Sequence, residues 1–172
     1  MTKIIKKRLA AGLMAAWAAL SSPEPSFQQT PAEAVPSKYG KYIISKEIYR
    51  KIPTDYAGTS LLSHNGELKA GVSMGYHCVT RPILFSETHS HPNEEILCFI
   101  GGNPLDITDL GAEIEISLGP EMEKHVITQT ACVSIPANLP HCPLNIKKVD
   151  RPIVFLEISL TSSYKAPGSS YR

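Results

Sequence analysis

The sequence carries almost no net charge. Seventeen Lys and Arg stand against 16 Asp and Glu in 172 residues, a formal +1 at pH 7. So balanced a chain argues against nucleic acid or an anionic membrane surface as its main partner. Cysteine is sparse and scattered. Cys78, Cys98, Cys132 and Cys142 include no CxxC pair, which leaves no spacing for a zinc site built from thiolates. In an exported chain four cysteines permit up to two disulfides, but each lies in or beside an apolar strand-like run, where a buried free thiol is the expected state.

Long apolar runs are missing too. The stretch Leu9 to Leu20 holds about a dozen apolar residues, short of the roughly 20 that span a bilayer. No nucleophile elbow, phosphate-binding glycine loop or dinucleotide fingerprint is present. Gly101-Gly102-Asn103-Pro104 is glycine-rich but precedes no helix and reads as a turn. After residue 36 no segment sustains helical apolar spacing with caps, so helical folds are not expected.

At the N-terminus, Lys3, Lys6, Lys7 and Arg8 lead into that apolar run, an order similar to the n- and h-regions of a secretory signal peptide. Ala16-x-Ala18 and Ala32-x-Ala34 offer small-residue cleavage patterns. The expectation is export to the periplasm or extracellular space; a cytoplasmic chain with an amphipathic N-terminal helix is the alternative. The Ser/Pro/Gln-rich stretch to Pro36 reads as a disordered linker. Residues 1–36 are thus a signal-like segment and linker, 37–163 the folded domain, and 164–172 a loose tail.

From Tyr39 onward short β-favouring runs alternate with turn residues. Tyr42-Ile43-Ile44 and the Leu61-Leu62 region open the series, with a hairpin signal at Asn65-Gly66. Runs follow at 68–79, 82–85, 96–100, 112–118, 122–128, 132–135 and 152–159, the run at 112–118 alternating Glu113 and Glu115 with Ile114 and Ile116. Many short strands at regular spacing indicate an all-β antiparallel sandwich or barrel.

Into this pattern falls His89-Ser90-His91-Pro92-Asn93-Glu94-Glu95, with His141 about fifty positions on. In an extended chain, residues two apart project to one side, so His89 and His91 point together. Glu95 joins them after the Pro92-Asn93 bend, and His141 closes a set of three imidazoles and one carboxylate, suited to a divalent first-row transition metal. Glu94 competes with Glu95. Alternation favours Glu95, because it then shares the inner face with Leu97 and Phe99, while Ile96, Cys98 and Ile100 face outward.

These residues carry a family resemblance. His89-x-His91-x-x-x-Glu95-x6-Gly102 resembles the first motif of the cupins, and Pro136-x-Asn138-x-x-His141-x-x-x-Asn145 the second. Ile83, Thr130 and Asn138 stand where the family usually carries glycine; Asn138 is the mildest exchange, since Asn tolerates a left-handed turn. The resemblance implies an all-β double-stranded β-helix, a jelly-roll barrel, with His89, His91, Glu95 and His141 holding one divalent transition metal. Iron or manganese is favoured, with zinc, nickel and copper possible. It also implies a small-molecule substrate acted on at the metal, by chemistry of the oxygenase, decarboxylase, isomerase or lyase kind, or else a non-catalytic metal- or ligand-binding module.

Tyr76, on the strand before the first motif where such a barrel lines its cavity, is the candidate proton-transfer residue, with Met74 on the same face and His77 a barrel-wall histidine. His64 and His125 read as surface residues, Arg81 as a solvated loop charge, and Lys147 and Lys148 as an exposed face. Alternation turns Cys142 away from the ligand His141. A homodimer is expected, burying the apolar outer strand positions against a second copy.

Overall fold

The computed structural model describes residues 38–45, 49–50 and 58–164, and almost all of its regular structure is antiparallel strand. The expected signal-like segment and linker, and residues 165–172 of the expected tail, lie outside the described residues. Among the described residues a single 3-10 turn, Gly40–Tyr42, precedes ten strands: β1 (Tyr49–Arg50), β2 (Ser60–Ser63), β3 (Ser73–Val79), β4 (Ile83–Phe85), β5 (Glu95–Ile100), β6 (Asp109–Leu118), β7 (Glu123–Gln129), β8 (Ala131–Ile135), β9 (His141–Val149) and β10 (Ile153–Ser159).

These strands form two sheets, one ordered β1-β2-β3-β10-β5-β8 and the other β4-β9-β6-β7. β1, β2 and β3 are consecutive, as are β6 and β7, but the other neighbours are distant in sequence, so the chain crosses repeatedly between the sheets and closes a jelly roll, the architecture that the paired motifs imply. The apolar core lies between them. Phe99, Phe155, Leu97 and Val79 come from one sheet and Ile114, Ile116, Leu144 and Ile146 from the other. Phe99 stacks on Phe155 with ring centroids 5.1 Å apart. Phe99, Ile114, Ile116 and Ile146 are fully buried, and each such side chain contributes roughly 1.5–3 kcal/mol of transfer free energy. In β6 the apolar residues Leu110, Ala112, Ile114 and Ile116 all point inward, the alternation seen in the sequence.

Two local expectations differ. Tyr42 ends the 3-10 turn and Ile43 and Ile44 enter no strand, because Gly40 closes a tight turn through the Ile43 N–H. In addition, the runs read from sequence leave a gap between Ile135 and Pro152 that β9 fills. Its pattern is masked by Pro143, a residue strands usually exclude, and by the exposed pair Lys147 and Lys148, which bond Glu113 and Asp150 respectively at 2.8 Å.

β9 positions the site. His89 and His141 form an isolated antiparallel bridge in which the His89 N–H donates to the His141 carbonyl at 3.0 Å and the His141 N–H to the His89 carbonyl at 2.9 Å. The Asn138 N–H adds a bond to the His91 carbonyl. Asn138 itself has φ +65°, so it occupies the left-handed turn where the motif usually carries glycine.

Candidate metal centre

The bridge brings the two motifs together. The ring centroids of His89 and His141 lie 4.3 Å apart, those of His89 and His91 4.9 Å, and those of His91 and His141 5.2 Å. Glu95 enters from the first residue of β5 with a side chain 3% exposed; its Oε2 lies 3.2 Å from His141 Nε2 and 3.9 Å from His91 Nε2. Glu94 is exposed, because Glu95 begins the strand whose inner positions continue as Leu97 and Phe99. His89 and His91 themselves precede β5 on an extended connection, not in a strand.

Backbone carbonyls fix the tautomers. His89 Nδ1 lies 2.9 Å from the Glu87 carbonyl and His141 Nδ1 3.0 Å from the Leu139 carbonyl. Each ring therefore donates its Nδ1–H two residues back, which leaves Nε2 with a free lone pair, the form in which imidazole binds a metal. His141 Nε2 is buried with no hydrogen-bond partner of its own, a costly state unless something else occupies its lone pair. Ligand atoms of His91, Glu95 and His141 all lie within 4.8 Å of one another. Orphaned nitrogen, fixed tautomers and buried carboxylate together fit a divalent cation.

The protonation of these groups follows from their surroundings. Burial pushes the His91 imidazole below its ordinary value; Glu95 opposes this, and the neighbouring His89 and His141 reinforce it. Burial also acts to lower His141, but Glu95 and the Leu139 carbonyl outweigh it, so its pKa is raised. Ser159 supports Glu95 from the adjacent strand, its hydroxyl donating to Oε1 at 3.3 Å.

Cys142 departs from the sequence expectation. Strand alternation would turn it away from the ligands, yet a ligand atom of each of His89, His141 and Cys142 lies within 4.8 Å of the others. The cause is its φ of +71°, which breaks the alternation and swings Cβ toward the site. Burial, then Glu95 and Glu157, push its thiol up to about 12. Two groups of ligand atoms thus share His141: His91, Glu95 and His141 on one side, His89, His141 and Cys142 on the other.

Tyr76 does not join the site. Its side chain is 39% exposed, on the face of β3 opposite to the buried Ser73, His77 and Val79. Met74 shares that outer face. The period of two sends 73, 75, 77 and 79 inward, and Tyr76 falls on the wrong parity. The inward residue is His77, and it belongs to a polar group that the sequence did not disclose.

Across the ladder, Gly75 pairs with Glu157 of β10, and a Cβ on Gly75 would lie 2.7 Å from His77 Nε2. The missing side chain makes room for the imidazole. His77 Nε2 lies 3.8 Å from Glu157 Oε2, and Ser60 Oγ is 2.7 Å from His77 Nδ1. With the carboxylate on the Nε2 side, a neutral ring keeps its proton there and accepts from the Ser60 hydroxyl. His64, read from sequence as a surface residue, places a buried Nε2 4.0 Å from Glu157 Oε1. Burial acts to raise the Glu157 carboxyl, but His77 and then His64 and His91 hold it below its ordinary value. His64 is itself lowered, chiefly by burial.

Tyr164, placed by the sequence at the start of the tail, is buried. Its N–H donates to the His64 carbonyl at 2.9 Å, its ring packs edge-on against His64 and His91 at 5.0 and 5.1 Å, and its hydroxyl lies 3.4 Å from His91 Nε2. A bridge between Asn65 and Ser163 draws the chain back over this end of the barrel. Only an aromatic five positions beyond a strand end signalled this, and that is no specific mark. His125 is exposed and pairs with Glu123 at 3.6 Å, and Arg81 is exposed beyond β3.

No protein-family model and no curated protein matches this sequence. Among solved structures it is similar to oxalate decarboxylase from Bacillus subtilis, at 13% identity and TM-score 0.46 over 72% of this chain and 30% of that one. It is similar also to an RmlC-like cupin from Shewanella frigidimarina NCIMB 400, at 7% identity and TM-score 0.43 over 69% and 88% of the two chains. A third is KdgF from Halomonas sp., at 12% identity and TM-score 0.42 over 69% and 91%. The chain thus spans about 30% of the length of the oxalate decarboxylase it matches.

Proposed function

We propose that this jelly-roll chain with the paired cupin motifs is a metal-dependent enzyme acting on a small polar organic molecule. His89, His91, Glu95 and His141 would hold one divalent transition metal; the cupin resemblance favours iron or manganese, while affinity order alone favours copper or zinc. The observation that carries this reading is the buried, unpartnered His141 Nε2 facing Glu95 Oε2 at 3.2 Å, its other nitrogen fixed by a carbonyl. When bound, such an ion acts as a Lewis acid on a substrate oxygen.

The chain's own residues supply the rest. Ser60, His77, Glu157 and His64 put hydroxyl, imidazole and carboxylate groups at the same end of the interior as His91, which suits a substrate bearing hydroxyl or carbonyl oxygens. Glu157, held ionised by His77 and His64, is placed to take up a substrate proton at a carboxylate oxygen. Tyr164 presents a hydroxyl beside His91 Nε2 and can donate to a substrate oxygen there. The test compares metal-loaded with chelator-stripped protein in a turnover screen of small hydroxy acids, oxo acids and sugars, with and without air. Consumption by the loaded protein alone is expected; full metal retention without turnover would assign a binding module instead.

Export and dimerisation are part of the same proposal. Lys3 to Leu20 supports export, and N-terminal sequencing of the protein from its native host would detect removal of that segment. Leu84 and Val126, 58% and 61% exposed on the four-stranded sheet, support a homodimer, which light scattering of the eluting protein would measure.

A further inference from the structure

Cys98 and Cys132 occupy directly opposed positions in the β5–β8 ladder. Their sulfurs lie 2.9 Å apart, closer than two thiols normally pack. Directly opposed residues of antiparallel strands have Cα atoms about 4.5–5.5 Å apart, inside the roughly 4.4–6.8 Å range that a disulfide needs. The other two cysteines have no such partner: Cys78 stands opposite Val154, and Cys142 lies at the metal centre. We propose that Cys98 and Cys132 form a redox-active dithiol site that closes to a cross-strand disulfide on reaction with a small-molecule disulfide.

The two sulfurs are unequal, and this sets the order of events. Cys132 is exposed and Cys98 buried. An incoming disulfide RSSR therefore meets Cys132 first; its thiolate attacks one sulfur, the RS–SR bond breaks, and RS⁻ leaves. Cys98 then loses its proton and attacks the Cys132 sulfur of the mixed disulfide, the second RS⁻ departs, and the S–S bond closes. In sum two protein thiols and RSSR give one protein disulfide and two RSH. Burial, and then the contact with Cys132, push the Cys98 thiol up to about 11. Because the thiolate is the attacking form, closure accelerates as the pH rises.

The site shares its strands with the metal centre. Glu95 begins the strand that carries Cys98, and it stands opposite Ile135 of the strand that carries Cys132. The bond would staple these two strands and leave the ligands in place.

The test treats the folded full chain with oxidised glutathione at pH 8, quenches with an alkylating agent, and counts modified thiols by intact mass before mapping peptides without reductant. Two unmodified cysteines and one peptide joining Cys98 to Cys132 are expected. Cys98→Ser is expected to stop at a glutathione adduct on Cys132, and Cys132→Ser to form no internal bond. Four alkylated thiols after oxidation of the wild-type chain, a lasting Cys132 adduct in it, or a cross-link through Cys78 or Cys142 would each overturn the proposal.

Discussion

His141 Nε2 and Glu95 Oε2 lie 3.2 Å apart with both side chains buried, and the His141 nitrogen has no hydrogen bond of its own. The start of β5 and the start of β9 meet there because the His89–His141 bridge ties the connection before β5 to β9. His141→Ala should therefore cost far more metal than the roughly 10–100-fold loss typical of removing an outer-shell partner, whereas His125→Ala, on the exposed β7, should cost none. Equilibrium dialysis against Mn(II) measures both.

Glu157 should govern part of the acid limb of stability. Its folded pKa is lowered from an ordinary 4.5, so its ionised form stabilises the fold above about that pH, and the contribution is lost as pH falls through the folded pKa. Glu157→Gln should unfold at lower urea concentration than wild type at pH 6, with the gap closing as the pH falls below about 4.5. Urea titrations across that range provide the check; a gap that widens on acidification contradicts the assignment.

Tyr164 and Tyr76 should behave oppositely. Tyr164→Phe removes a hydroxyl 3.4 Å from His91 Nε2 and is expected to shift the visible spectrum of the Co(II)-loaded protein. Tyr76→Phe, on the outer face, should leave that spectrum unchanged.

The core separates equally cleanly. Ile116→Ala, at a position with no exposed surface, should destabilise by about 2–5 kcal/mol. Leu105→Ala, 95% exposed, should stay within about 0.5 kcal/mol. Urea midpoints at constant slope compare the two.

Much of the architecture was legible because strand parity and turn chemistry are local. Alternation in 112–118 and 96–100 gave β6 and β5 nearly in full, and it put Glu95 rather than Glu94 inside. Tyr76 was placed at the cavity by the family resemblance; parity in β3 sends His77 inward and Tyr76 outward. Parity failed at Cys142, where a positive φ breaks the two-residue period, and at β9, where Pro143 and two lysines hide a strand held by its neighbours β4 and β6. His64, Glu157 and Tyr164 were illegible for a different reason. Their meeting depends on the register of three strands and the return of the chain over the barrel end, and no local spacing encodes that.

Metal content bears most directly on the centre itself. Full-length protein purified without chelators, or stripped, reloaded with Mn(II) or Fe(II) and dialysed, should carry close to one metal ion per chain by plasma emission spectroscopy. A correctly folded chain that emerges essentially metal-free from both preparations would contradict the assignment of His89, His91, Glu95 and His141 as ligands.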